Sequence, residues 1–534
     1  MQAAFTGLAN DEAYYHMFAQ NLDWGYFDHP PLVAFLVWMG NFIGGELGVR
    51  FFVTLLQPIY IYALWRIIRP ADYSTRDVPL FVLIAAAMPI LQLYGFIATP
   101  DTPLMLFTGL FLLCYKKFTE NNSWGSALLL GVMMAGLAYS KYQGALVVAI
   151  TVLSNVRLLK NPKFYAACLL TLLLIFPHLR WQHQHDWVSF RYHLIGRNRD
   201  FEWSFVTEYI LNIFAIFNPF LFPVFLKGWW KSHAKEPVLR AMNAISMGFI
   251  LFFLASTAKG YAQPQWVIPT AFGIVAILFL YAREKEKLRK YTRRVAYITI
   301  ALVMLVRIEA IFNPLRLKFE IFDNEVFYGH IAAMAAGRPV IFEGHYTDAA
   351  KYNFYTGGFG FANPSIQNRT SQYELMDDSP MFGRPVIMGV YSDAPDVKAL
   401  SLANGRQFTY IENENYIPVW KIAVEMSPKL PESVSRGETL RFHLSITNPY
   451  PYTYDFGGPD DRISLVFNRR GEPPTIVTLG MAGTLEPYGT LQADVSAAVP
   501  ATLNLKKYTV RVMITNTLVS GWYNNETSTV KVKK

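Results

Sequence analysis

Apolar stretches of near membrane-spanning length recur through the first three-fifths of this chain, and the loops between them alternate in basic charge. Inside hydrocarbon a backbone must satisfy its own hydrogen bonds, so segments of this kind are restricted to helices. The expected spans are Leu47–Ile68, Val78–Ile97, Thr102–Lys116, Trp124–Tyr139, Gly144–Val156, Phe164–Leu179, Phe205–Leu226, Arg240–Thr257, Pro264–Ala282 and Val295–Phe312, roughly ten in all. Basic clusters follow every second one: Arg66, Arg69 and Arg76; Lys116 and Lys117; Arg157, Lys160 and Lys163; Lys227, Lys231 and Lys235; and Arg283 through Arg294. The positive-inside rule places these loops in the cytoplasm. The opposite loops, the stretch up to Glu46, Thr99–Pro103, Ser140–Tyr142, Arg180–Ser204 and Lys259–Pro264, are then external. The net charge of +9 is therefore topological rather than the footprint of a nucleic-acid binder.

From about Leu317 the sequence turns polar, which predicts three domains: 1–316 in the membrane, 317–425 as an α/β module and 426–534 as a β-sandwich, the last two extracytoplasmic. Pro339–Phe342 and Pro385–Tyr391 read as buried strands around a helix at Asp348–Tyr355. Alternation at Leu440, Phe442, Leu444 and Ile446, at Ile463, Leu465 and Phe467, and at Tyr508, Val510, Val512 and Ile514 predicts antiparallel strands. Pro30-Pro31 followed by the short apolar run Leu32–Ile43 suits an interfacial helix that lays the preceding loop on the membrane surface. Cys114 and Cys168 both fall in apolar segments, which leaves neither a disulfide framework nor a cysteine metal site. Met1 to Asn10 is too short to span, so insertion begins at a later segment or a helix lies upstream of this chain.

Ionisable residues at the ends of spans are functional candidates, because charge at membrane depth is costly. The external loops bring acids and bases to one surface: Asp11, Glu12, Asp28, His29 and Asp101 from early loops, and Lys141, Arg191, His193, Arg197, Arg199 and Lys259 from later ones. A carboxylate that deprotonates a hydroxyl, beside cations that neutralise a departing phosphate, is what transfer from a phosphate-linked donor requires. No Asp-x-Asp pair is present to hold a nucleotide diphosphate through a metal, which favours a lipid phosphate as the donor. Structural readings stand beside these. Asp11 and Glu12 suit a helix N-terminus, Asp101 a helix cap, and Arg197 a solvated face. Tyr15 and Tyr26 fit either sugar stacking or an interfacial aromatic belt.

The runs Asp11-Glu-Ala-Tyr-Tyr15, Leu22-Asp-Trp-Gly-Tyr-Phe-Asp-His-Pro-Pro-Leu32 and Gly48-Val-Arg-Phe-Phe52 closely resemble the opening of bacterial membrane glycosyltransferases. These are related to the dolichyl-phosphate-mannose protein mannosyltransferases and to the lipid A aminoarabinose transferases. Ala98–Met105, Ser140–Tyr142 and Trp187–His193 look like later loops of that family, and the likeness covers roughly the first three hundred residues. It implies a GT-C fold in the bacterial inner membrane, with the active site facing outward. The implied reaction is inverting transfer of a sugar from a polyprenyl phosphate to a lipid, glycan or protein hydroxyl. Asp11 matches the family's catalytic aspartate and is expected as general base, with Glu12 shaping the pocket. Asp28, His29 and Asp101 would line the sugar and acceptor site, and Tyr15, Tyr26 and Arg197 are further substrate-binding candidates. Lys141, Arg191, His193 and Lys259 are the candidates for the donor phosphate, of which Lys141 and the Arg191–His193 segment match family patterns. The resemblance requires no cofactor, although some members hold a divalent metal near the acidic loops, and it places a membrane helix ahead of the acidic pair. The main alternative is a transporter or flippase of lipid-linked sugars, which would place ionisable groups at the bilayer midplane and show internal repeats; neither is evident here.

Overall fold

The computed structural model describes residues 1–197, 201–232, 234–365, 369–390, 397–402, 404–457, 461–469, 472–515, 522–524 and 527–534. It forms two compact units, Met1–Asn324 and Glu325–Lys534, where the composition shift sets the boundary at 316/317.

The first unit is helical. It opens with α1 (Gln2–Phe5), α2 (Asn10–Gln20) and α3 (Leu32–Gly40). Then follow α4 (Gly45–Ile68), α5 (Asp77–Ala86), α6 (Pro89–Leu93), α7 (Asp101–Asn121), α8 (Trp124–Ser140) and α9 (Gly144–Ser154). After α10 (Pro162–Gln184) and the short α11 (Val188–Arg191) come α12 (Trp203–Ile216), α13 (Phe222–Lys231), α14 (Pro237–Ser256), α15 (Thr270–Arg283) and α16 (Glu286–Phe312). Among the described residues, α4, α10, Pro237–Lys259 and α16 are long and apolar enough to cross a membrane, and α5, α8, α9, α12 and α15 are shorter apolar helices.

Two expected continuous spans are broken, and the breaks meet. Val78–Ile97 divides into α5 and α6 where Pro89 starts a new helix, as proline does in a first turn. Phe205–Leu226 divides at Asn218, whose backbone is left-handed with φ of 69°. The Asn218 amide donates to the Ala87 carbonyl at the end of α5 (3.1 Å) and to Thr299 Oγ1 (2.8 Å), and its oxygen accepts from the Phe220 N–H (3.1 Å). The side chain thus occupies groups that both interruptions leave open, as buried backbone requires. Helix α15 lies at the centre, with Thr270 through Phe279 buried on every side. It approaches α14 so closely that a Cβ on Gly273 would fall 1.8 Å from Ser246 Oγ.

The second unit begins with α17 (Asn324–Ala335) and α18 (Tyr346–Thr356) around a five-stranded sheet. The strands are β1 (Val340–Glu343), β2 (Gly360–Asn363), β3 (Val386–Gly389), β4 (Lys398–Ser401) and β5 (Gln407–Asn413), in the order β2-β1-β3-β5-β4. β1 runs parallel to β2 and β3, with α18 as the β1–β2 crossover. Beyond it, a three-stranded sheet (Ala423–Ser427, Thr439–Thr447, Thr490–Ala498) packs with a larger sheet built on Arg462–Asn468 and Lys507–Thr515. Leu440, Phe442, Leu444 and Ile446 turn inward against Leu465, Val510 and Val512, as their alternation requires.

Candidate active site

Asp11 and Glu12 stand in the first turn of α2 rather than in an irregular loop, and the helix separates them. Successive residues lie about 100° apart on a helix. Asp11 consequently faces outward and is exposed, whereas Glu12 is wholly buried. Arg50, in α4, donates from Nε to Glu12 Oε1 at 2.7 Å and from Nη2 to Oε2. The same carboxylate accepts from the Ala98 N–H (2.9 Å) and the Ala9 N–H (3.0 Å). Arg50 also donates to the carbonyls of Ala3, Thr6 and Gly7 and lies 5.6 Å from the Phe96 ring. Glu12 therefore ties α2, α4 and the Ile97–Thr99 turn together and is spent on that task. Arg50 was not among the expected site residues. Its signal was present, since an arginine in an apolar helix demands an acid.

The loop after α2 is clasped from within. Tyr26 is buried, stacked on Phe18 at 4.1 Å, and its hydroxyl contacts the carbonyls of Phe18 and Asn21 (3.1 Å each) while accepting from the Asp23 N–H (3.1 Å). Burial pushes its phenol up to about 12, so it stays protonated as a donor. Here Tyr26 packs inside the loop. Asp23 accepts from Trp181 Nε1 (2.7 Å), and His178 Nδ1–H donates to the Trp24 carbonyl (2.7 Å), fastening the loop to α10. Tyr15 is buried edge-on to His29 at 5.5 Å.

Asp28, His29 and His193 come together. His193 Nε2–H donates to the Asp28 carbonyl at 2.8 Å, and its ring lies 6.1 Å from His29 and 5.4 Å from Tyr142. Burial, reinforced by Arg197 and Lys141 and opposed by Asp28, lowers the His193 pKa, so the ring is neutral near pH 7. It offers hydrogen bonding but no charge to a phosphate. Lys141 is likewise unavailable as an open cation: its ammonium holds both oxygens of Asp101 at 2.8 Å, and both residues are buried. That pair joins the start of α7 to the end of α8. Asp101 and Asp11 both lie within electrostatic reach of Tyr94.

The remaining cations converge elsewhere. A cavity of about 570 Å³ is lined on one side by Ala145, Leu146 and Ala149 of α9 and Phe252 and Phe253 of α14. Its lining also includes Tyr142, His193, Arg197, Lys259, Tyr261 and Trp266. The Arg197 guanidinium lies 4.4 Å over the Trp266 ring, whose Nε1 donates to Gln263 Oε1 at 2.9 Å. Gly260, at φ 148° and ψ −179°, has a backbone open essentially only to glycine, and it turns the chain directly after Lys259. Tyr142, Tyr261 and Trp266 were missed as site residues because nothing in their spacing distinguishes them from an aromatic belt. Arg191 is exposed and outside this lining, and Arg199 lies outside the described residues. Among the described residues no group of three or more His, Cys, Asp or Glu side chains is placed to hold a metal ion.

The sequence pattern of the dolichyl-phosphate-mannose-protein mannosyltransferases matches residues 28–181, beginning after the acidic pair. Lipid A galacturonosyltransferase RgtD from Rhizobium johnstonii is 24% identical over 301 residues, which cover 52% of this chain and 62% of that relative. ArnT from Cupriavidus metallidurans in the apo state superposes with a TM-score of 0.56 at 14% identity, over 77% of this chain and 94% of that one. The chain thus has the fold of ArnT and is similar in sequence, over part of its length, to these glycosyltransferases. ArnT bound to undecaprenyl phosphate has the same fold, with a TM-score of 0.54 at 14% identity over 77% of this chain and 95% of that one. Within that fold the chain has both a cavity lined by apolar side chains and by Arg197 and Lys259, and an exposed carboxylate in the first turn of α2.

Proposed function

We propose that this chain transfers a sugar from a polyprenyl-phosphate donor to a hydroxyl acceptor, with inversion, at the outer face of the bacterial inner membrane. The observation that carries this reading is the cavity lined by α9 and α14, whose lining combines apolar side chains with Arg197 and Lys259. A prenyl tail suits the walls and a phosphate suits the cations. The acceptor oxygen attacks the anomeric carbon from the face opposite the phosphate, and its proton passes to Asp11. The anomeric C–O bond breaks, and the lipid phosphate departs with the electron pair while Arg197 and Lys259 neutralise its charge. Relatives named for lipid A galacturonosyl transfer and for binding undecaprenyl phosphate support a lipid donor and a glycolipid acceptor.

Asp11→Asn tests the base. The expected outcome is a folded, membrane-inserted protein that binds undecaprenyl phosphate as wild type does and shows no turnover with galacturonosyl, aminoarabinosyl or mannosyl undecaprenyl phosphate. Turnover at the wild-type rate would remove Asp11 from this role.

A further inference from the structure

After α16 the chain does not run freely into the second unit. Residues 313–324 form a strap of fixed shape, with Asn313, Arg316 and Asp323 at φ of 47°, 54° and 57°. The Asn313 side chain caps the turn in both directions, accepting from the Leu317 N–H (2.6 Å) and donating to the Leu317 carbonyl (3.1 Å). At the far end the buried Asn324 donates to the Glu320 carbonyl at 2.9 Å. So held, the Glu320 carboxylate accepts from the Asn10 N–H at 3.0 Å.

That N–H opens α2 and has no acceptor inside the helix. The residue before it, Ala9, gives its N–H to Glu12, which Arg50 anchors. The backbone of Asp11 is therefore fixed from both sides, through Asn10 by Glu320 and through Glu12 by Arg50. The position of the Asp11 carboxylate depends on the helix turn that carries it. We propose that Glu320 is a positioning residue for Asp11, and that the strap leaving the last helix sets the register of the first turn of α2 in which Asp11 faces the acceptor hydroxyl. This rests on the reading of Asp11 as base. A shift of about an ångström in a reacting group costs on the order of a hundred-fold in rate, and loss of one tether allows part of that.

The test compares full-length wild type, Glu320→Ala, Glu320→Gln and Asp11→Asn in nanodiscs. The donor is whichever of galacturonosyl, aminoarabinosyl and mannosyl undecaprenyl phosphate the wild type consumes, and hydrogen exchange of the peptide spanning Asn10 is followed in parallel. Glu320→Ala is expected to lower kcat roughly ten-fold with KM for the donor unchanged, and to speed exchange at Asn10 by a similar factor. Glu320→Gln, whose amide oxygen still accepts from Asn10, is expected to stay within about two-fold of wild type on both. Wild-type kcat in Glu320→Ala overturns the inference whether or not exchange changes, as does an equal loss in Glu320→Gln or a parallel rise in KM. An active Asp11→Asn instead overturns the base reading itself. If Glu320→Ala does not reach the membrane, Asn324→Ala decides: faster exchange at Asn10 with lower kcat supports the strap, and no change in either refutes it.

Discussion

Removing Arg50 is the most informative perturbation of the acidic turn. In Arg50→Met the apolar stem persists, but Glu12 loses the Nε donor at 2.7 Å and the Nη2 donor, keeping only the backbone N–H groups of Ala98 and Ala9. The carbonyls of Ala3, Thr6 and Gly7 lose their partner as well. Hydrogen bonds to charged groups contribute about 1.5–3 kcal/mol each. Breaking a buried pair on one side costs about 3–5 kcal/mol, the value expected here because both side chains are at most 1% exposed. The assay is equilibrium unfolding in mixed detergent–SDS micelles, followed by tryptophan fluorescence. The neutral double variant Glu12→Gln/Arg50→Met should be destabilised less than the two single changes added together, with a coupling of at least about 2 kcal/mol. Stability of Arg50→Met within about 0.5 kcal/mol of wild type, or strict additivity in the double variant, would refute the claim that this pair holds the turn. Turnover should fall further than stability alone explains, since Asp11 shares that turn.

At the cavity, Arg197→Ala and Lys259→Ala should each weaken undecaprenyl phosphate binding roughly ten-fold, read as loss of ligand protection against thermal unfolding. Trp266→Ala should reproduce about a five-fold part of the Arg197 effect, because the guanidinium loses the ring beneath it. Tyr26→Phe leaves the Asp23 N–H and the Phe18 and Asn21 carbonyls short of a partner, a cost of about 1–2 kcal/mol measurable by the same unfolding assay. In the second unit, burial pushes the Glu374 carboxyl up from 4.5 to about 8. The folded state then holds a proton that the unfolded chain releases, so this contribution is full below pH 4.5 and is lost as pH rises towards about 8. Thermal unfolding of the full chain should show a decline of up to about 5 kcal/mol across that window, absent in Glu374→Gln.

What was legible in the sequence followed from short-range pattern. Apolar runs mark the helices because hydropathy is a local property, and alternation marks Thr439–Thr447 because one face of that strand is buried. The breaks at Ala87 and Asn218 were hidden, since each is stabilised by the other across a separation of 131 residues and neither lowers local hydropathy. The same holds at the site. Lys141 reads as a free cation until Asp101, 40 residues earlier, is brought to both sides of its ammonium. Residue type and loop placement select candidates, and only the tertiary partner decides whether a charge is spent or available.

The acidic pair shows this most sharply. Asp11 and Glu12 carry the same group, one methylene apart in length, on adjacent residues, and composition cannot distinguish them. A single helical step does so by sending one side chain to the Arg50 guanidinium and leaving the other exposed. The buried acid is held by four donors, two from Arg50 and the backbone N–H groups of Ala9 and Ala98. The exposed one is carried on the turn that these bonds hold. A helix N-terminus and a catalytic base are therefore not competing readings of Asp11-Glu12. The buried Glu12 holds the turn, and the turn so held carries the exposed Asp11, the base we propose.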